Sequence, residues 1–291
     1  SCECTPECTD KECGDDGCAG ECAPGCSGDD TCYLGKCVGP CDLPSAWDPT
    51  GVLTSLQSPA DAAVVGELCP DFSGDGKGDN GLKALASMIN PELTKAIEGG
   101  DMGILFEFNG VNDDETDFTL VGLVGAPEST GSSSFQIETA AYDPECNPLI
   151  SFPNSSIISD ELAAGPSIFT LDLAALGVQE VPLVLAIDNT QISGTVTYKG
   201  ADGVEVTDGV LAGVLTKELV DQALDAAKEA CNVPDPASFC SYLKLADQFL
   251  PMLFDLDLDN DGTKDAASVC FQFTMGKATI TGFKPDEAPA N

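Results

Sequence analysis

The sequence predicts an α+β, mainly β protein: an antiparallel β-sandwich-like body with a few helices, plus a small disulfide-rich N-terminal module. Three observations predict it. Ten of the fifteen cysteines fall within the first 41 of 291 residues. Beyond them, runs of alternating apolar and polar residues recur, the period of a half-buried strand. Helical patterns also occur, but they do not alternate regularly with the strands, as a parallel α/β sheet would require. The expected organisation is a disulfide-rich module over 1–41, a linker over 42–68 and a β-rich calcium-binding body over 69–291.

The first 41 residues contain too few large apolar side chains for a core, so disulfides must define their shape. Spacings such as Cys13, Cys18, Cys22 and Cys26 fit loops closed by bridges better than the paired C-x-x-C knuckles of a zinc ribbon. Four or five bridges fit the count, their connectivity is open, and the module is either a spacer or a docking arm. The stretch "GPCDLPSAWDPTG" reads as a linker. "NGLKALASMI" and "PELTKAIEGG" are short helical patterns, the second opened by Pro91 and closed by Gly99.

Strands follow. Ile104, Phe106 and Phe108 alternate with Leu105, Glu107 and Asn109. In "QISGTVTY", Ile192, Val196 and Tyr198 share one face, with Gln191, Ser193, Thr195 and Thr197 on the other. Further strand-like runs cover 117–124, 167–173, 181–187, 209–215, 268–274 and 278–283. "TKELVDQALDAAKEAC" places Leu219, Ala223, Ala227 and Ala230 on one helical face, and "DPASFCSYLKLADQFL" reads as a second helix ending at Pro251. Cys231 and Cys240 flank the loop between these helices and suit a local bridge. Cys69, Cys146 and Cys270 are left without assigned partners, and the odd total implies a free thiol or a link to another chain.

Composition excludes much chemistry. The 49 acidic residues face 12 basic ones, all lysine, and there is no histidine. Without His there is no Ser-His-Asp system and no imidazole metal site. Without Arg there is no bidentate phosphate fork, and a net charge of −37 repels nucleic acid and anionic membrane. Partners are expected to be cations, neutral glycans or protein, including copies of the chain. No run reaches the length of about 18 apolar residues that a membrane span needs. Fifteen cysteines point to an oxidising compartment, hence to an extracellular or cell-surface protein. Ser1 opens directly onto cysteines, so a targeting segment is expected to have been removed. Neither a G-x-S-x-G elbow, a P-loop nor a dinucleotide fingerprint occurs, and no carboxylate pair stands out, so no enzyme is expected. Aromatics make up 6% of the chain, with a single Trp47, which weighs against a glycan-binding platform.

The sharpest signal is a repeated acidic loop. "DFSGDGKGD" (71–79) and "DLDNDGTKD" (257–265) both follow D-x-[SD]-x-D-G-x-x-D. Oxygens at positions one, three, five and nine, with a backbone carbonyl at seven and a glycine turn at six, can surround one hard cation, and calcium is the natural occupant. The expected ligands are Asp71, Ser73, Asp75, Lys77 by its carbonyl and Asp79, then Asp257, Asp259, Asp261, Thr263 by its carbonyl and Asp265. Position twelve is Leu82 or Ser268, not the bidentate Glu of an EF-hand, so Asp255 or water is expected to complete the second shell of oxygens. A third acidic cluster, "NDDETD" (112–117), has no glycine turn and reads as a solvated hairpin tip.

These loops resemble the calcium loops of dockerins, thrombospondin type 3 repeats and integrin-like propellers, which implies the ion. The run "CTDKECGDDGCAGECAPGC", continued by "TCYLGKC", is similar to Cys- and Gly-rich modules of secreted proteins and lipoproteins of myxobacteria and related bacteria, which implies export from a bacterium. The resulting expectation is an exported calcium-binding structural protein that self-assembles into an extracellular filament or surface layer. The alternative is a monomeric cell-surface protein that binds glycans or another ligand.

Overall fold

The computed structural model describes residues 22, 31–33, 36–38, 44–99, 103–111, 115–129, 131–143, 146–172, 184–231, 253–259 and 261–284. The chain divides into two compact units. One comprises residues 1–45 and 142–148, the other 46–141 and 149–291.

In the first unit, β1 (Thr31–Tyr33) and β2 (Lys36–Val38) form an antiparallel hairpin that sets Cys32 opposite Cys37. Cys22 is buried, and Cys22 and Cys146 are both disulfide-bonded. Residues 142–148 close on themselves through a bridge between Tyr142 and Pro148.

The second unit is a closed antiparallel barrel of eight strands, which corrects the sandwich. Its strands are β3 (Thr50–Gln57), β4 (Gly103–Asn109), β5 (Phe118–Pro127), β7 (Ile150–Ile158), β8 (Glu161–Asp172), β9 (Val184–Gly200), β10 (Gly203–Thr216) and β11 (Ala266–Phe283). Their order around the barrel is β10, β9, β8, β7, β5, β4, β3, β11, and the β10–β11 ladder closes the ring. A short β6 (Ser134–Ile137) pairs antiparallel with the end of β5 and parallel with the end of β11. Closure follows from β11. The expected runs 268–274 and 278–283 are one strand of 18 residues, paired with β10 along its first part and with β3 from Gln272 to Ala278. A register shift at Thr274/Met275 lets it turn from one neighbour to the next.

The interior is apolar. Phe106, Phe108, Phe118, Leu120, Phe152, Phe169, Ile192, Val196 and Phe273 belong to one buried cluster, so the barrel is packed with side chains. The expected face of β9 is observed in part: Ile192 and Val196 are buried and Gln191, Ser193 and Thr197 exposed, while Tyr198 and Thr195 are half-buried. This is the inverse of a transmembrane barrel, which turns apolar residues outward. No helix among the described residues is long and apolar enough to cross a membrane.

Three sequence readings change. Segment 42–68 contains β3 and a helix, α1 (Ala62–Leu68), whose N-cap Asp61 accepts hydrogen bonds from Ala63 and Val64 N–H groups. The two patterns around Pro91 become a 3-10 turn, Gly81–Leu85, followed by one continuous helix, α2 (Ala86–Gly99), with Pro91 inside it. Asn90 ties this helix to the end of β3 by a two-way pair of bonds with the backbone of Ser58, at 2.8 and 3.0 Å, which helps offset the helix bond lost at the proline. On β4, burial covers both faces, because Leu105 and Glu107 are buried as well as Ile104, Phe106 and Phe108. The helix expected after β10 is α3 (Lys217–Ala230). The helix expected over 235–250 lies outside the described residues.

Candidate metal centre

The acidic loops leave the barrel wall at two places remote in sequence, and both are fixed to β11. On the outer face of that strand, Ser268 and Cys270 project at alternate positions while Val269 enters the core. Cys270 forms a disulfide with Cys69, at the C-terminus of α1 and immediately before the first loop. Ser268 Oγ accepts the Gly81 N–H (2.8 Å), just past that loop. The same serine donates its N–H and Oγ–H to the two carboxylate oxygens of Asp255, at 2.7 and 2.6 Å, at the entry to the second loop. Phe72 of the first loop packs against Leu256, Val214 and Ala266. The loops therefore stand on a common base.

Their internal hydrogen bonds repeat. The first aspartate accepts the N–H of the sixth-position glycine, Asp71 from Gly76 at 2.8 Å and Asp257 from Gly262 at 2.9 Å. The fifth accepts the N–H of the seventh residue, Asp75 from Lys77 at 2.9 Å and Asp261 from Thr263 at 2.7 Å. The ninth closes the loop onto the second, Asp79 to Phe72 at 2.8 Å and Asp265 to Leu258 at 3.3 Å. Gly76 and Gly262 adopt φ of 86° and 90°, the left-handed region that glycine enters at little cost.

The second loop brings Asp257, Asp259 and Asp261 together, with one carboxylate oxygen from each lying within 4.8 Å of the others. Oxygens on opposite sides of a calcium ion, each at about 2.3 to 2.6 Å, are about 5 Å apart, so the triad fits an oxygen-seeking cation of that size. Each carboxylate oxygen has two lone pairs, so accepting one N–H leaves an electron pair for a metal. In the first loop Ser73 Oγ lies 3.3 Å from both Asp71 and Asp79, which collects positions one, three and nine. The bond from Gly76 N–H, with those from Gly74, Ser73 and Asp75, holds the Asp71 carboxyl below its ordinary pKa although desolvation acts against it. Asp71 therefore stays charged to lower pH than an ordinary aspartate.

The ninth-position carboxylates close the loops, and Lys77 and Thr263 take part through their N–H groups. Asp255 or water was expected to complete the second oxygen set; each Asp255 oxygen accepts one bond from Ser268. Asn80 was not foreseen. It is fully buried, donates to Ser58 Oγ and the Pro59 carbonyl at 3.0 Å, and fixes the exit of the first loop. Of the third acidic cluster, Asn112, Asp113 and Asp114 lie outside the described residues, and Glu115 pairs with Lys199 at 2.5 Å. Trp47 packs its ring on Phe283 at 5.6 Å. Cys231 is disulfide-bonded, and its expected partner Cys240 lies outside the described residues.

No protein family, curated protein or solved structure matches the chain.

Asp255→Ala should destabilise the unit by about 1 to 3 kcal/mol, because it leaves the fully buried Ser268 without acceptors for two donors. Urea unfolding of Asp255→Ala beside Asp255→Asn checks this. Asparagine keeps one acceptor, so it should lose less.

Proposed function

We propose that this chain is an exported calcium-binding structural protein. Its barrel is stiffened by ions at the two acidic loops, and it assembles with copies of itself into an extracellular filament or surface layer. The observation that carries the reading is the convergence of Asp257, Asp259 and Asp261 in a loop whose hydrogen-bond scheme recurs at Asp71–Asp79. Four further facts support it. Hard carboxylate oxygens prefer calcium to softer metals. A packed barrel interior suits a building block better than a carrier, since it holds side chains where a carrier needs a cavity. Chains of charge −37 repel one another until cations bind. The Cys69–Cys270 disulfide accords with an oxidising, extracellular setting.

The test combines calorimetric calcium titration with light scattering in calcium and in chelator. One ion per loop is expected, and Asp257→Asn with Asp259→Asn should abolish one of the two sites. At calcium a hundredfold above the dissociation constant, each site adds about 2.7 kcal/mol to stability, so melting should fall on chelation and assemblies should shorten. Melting unchanged in chelator, with no metal found by elemental analysis, would return the loops to ordinary turns. Calcium-bound monomers would retain the ion and remove the assembly.

A further inference from the structure

Glu107 lies away from both acidic loops and has no part in the cation reading. It projects from the outer face of β4 and is only 3% exposed. Thr50 of β3 stands opposite it on one side and Val121 of β5 on the other, and both are buried. Its Oε1 accepts the backbone N–H of Asp48 at 2.9 Å and Asn109 Nδ2 at 3.5 Å. Asp48 is the charged residue facing it from the segment that enters β3, and the Asp48 carboxylate accepts the Gly110 N–H at 2.6 Å. Among the described residues no lysine pairs with Glu107.

This carboxyl sits at one of the two shortest ladders of the barrel, three residue pairs long like that of β7 and β8. β3 and β4 pair only over Thr50–Val52 and Leu105–Glu107, whereas β4 and β5 pair from Gly103 to Asn109. The contacts of Glu107 and Asp48 extend this short ladder outward. Thr50 Oγ1 also donates to the Asp48 carbonyl at 2.9 Å, and Phe108 N–H donates to the Pro49 carbonyl at 3.0 Å.

We propose that Glu107 is a proton-operated latch on the β3–β4 seam: as the neutral acid it holds the seam shut, and as the carboxylate it loosens it. A carboxylate buried without a cation loses hydration that one N–H and one distant amide do not replace. Burial pushes its pKa up, the hydrogen bonds from Asp48 and Asn109 pull it down, and the Asp48 charge adds a smaller upward push. The folded state therefore holds this proton more tightly than the unfolded chain does. Its stabilisation is complete below the ordinary glutamate pKa and is lost as pH rises through the raised one.

The experiment is amide hydrogen exchange on the full chain from about pH 4 to about pH 7, corrected for intrinsic rates and read on peptides covering 48–52 and 105–109. Each unit by which the folded pKa exceeds the free one changes the opening equilibrium by up to about tenfold. In the wild type, protection at the seam should fall with rising pH relative to the β8–β9 ladder. In Glu107→Gln, which keeps the Oε1 acceptor and cannot ionise, it should stay flat. Parallel loss in both proteins overturns the latch. So does a carbon-detected titration of the wild type that finds Glu107 at an ordinary glutamate pKa.

Discussion

Replacing Cys69 and Cys270 together by alanine should lower the unfolding free energy by about 2 to 5 kcal/mol. The bond joins residues 201 apart and closes the barrel unit from α1 to its last strand. In the unfolded chain its loss frees a very long loop, and chain entropy then favours unfolding more strongly than for a short bridge. Alanine is the proper replacement because the site is apolar: Cys69 is 7% and Cys270 0% exposed, beside Val65, Val210 and Ala212. Serine would add buried hydroxyls without partners. The urea midpoint of the oxidised wild type against the double variant measures the loss, and one below about 1 kcal/mol would show that the strand ladders alone hold the unit. A local consequence separates the loops. Gly78 packs so tightly under Cys69 that a Cβ there would lie 2.3 Å from the Cys69 and Val65 carbonyl oxygens. Losing the bridge should therefore weaken cation binding at Asp71–Asp79 more than at Asp257–Asp265.

That bridge marks where the sequence is legible and where it stops. Alternation identified β4 and β9 because each strand's own residues state which of them share a face. Closure was not legible, since a sandwich and a barrel require the same alternation and differ only in which distant strands pair. Here the deciding ladder joins Val206–Thr216 to Ala266–Met275, and no local pattern announces it. β3 was missed because Thr50–Gln57 carries polar Thr54, Ser55 and Gln57 beside a proline-rich approach that reads as a linker. The acidic loops were legible because their order of ligands and glycine is itself local. Their common base was not, because Ser268 bonds to Gly81 across 187 residues of sequence. The buried Glu107 was read as the polar side of a half-buried strand, since alternation states which residues share a face and not whether that face meets water.

Phe106→Ala should cost about 3 to 5 kcal/mol, toward the upper end of that range for a buried aromatic. The ring is fully buried in the barrel and lies against Phe169, centroids 6.5 Å apart. What raises the cost is its neighbours in the sheet. Phe106 pairs with Gly51 on β3 and with Gly122 on β5, so it is the one side chain in a row of three adjacent strands. After truncation that row holds two hydrogens and a methyl, and the space can be reached only by the Ile150 and Met275 side chains that already overlie the two glycines. Filling either glycine in compensation requires its neighbours to give way. A Cβ at Gly122 would meet Ile150 at 2.5 Å, and one at Gly51 would meet the Val204 carbonyl oxygen at 3.1 Å. The loss should therefore exceed that of Val196→Ala, a smaller truncation in the same core, while Ile168→Ala at a residue 53% exposed should stay within about 0.5 kcal/mol. Denaturant unfolding of the three variants, at equal slope, checks the order. A Phe106→Ala loss no larger than that of Val196→Ala would mean that the wall closes over the cavity, and that the glycine-flanked ring is not what keeps these three strands apart.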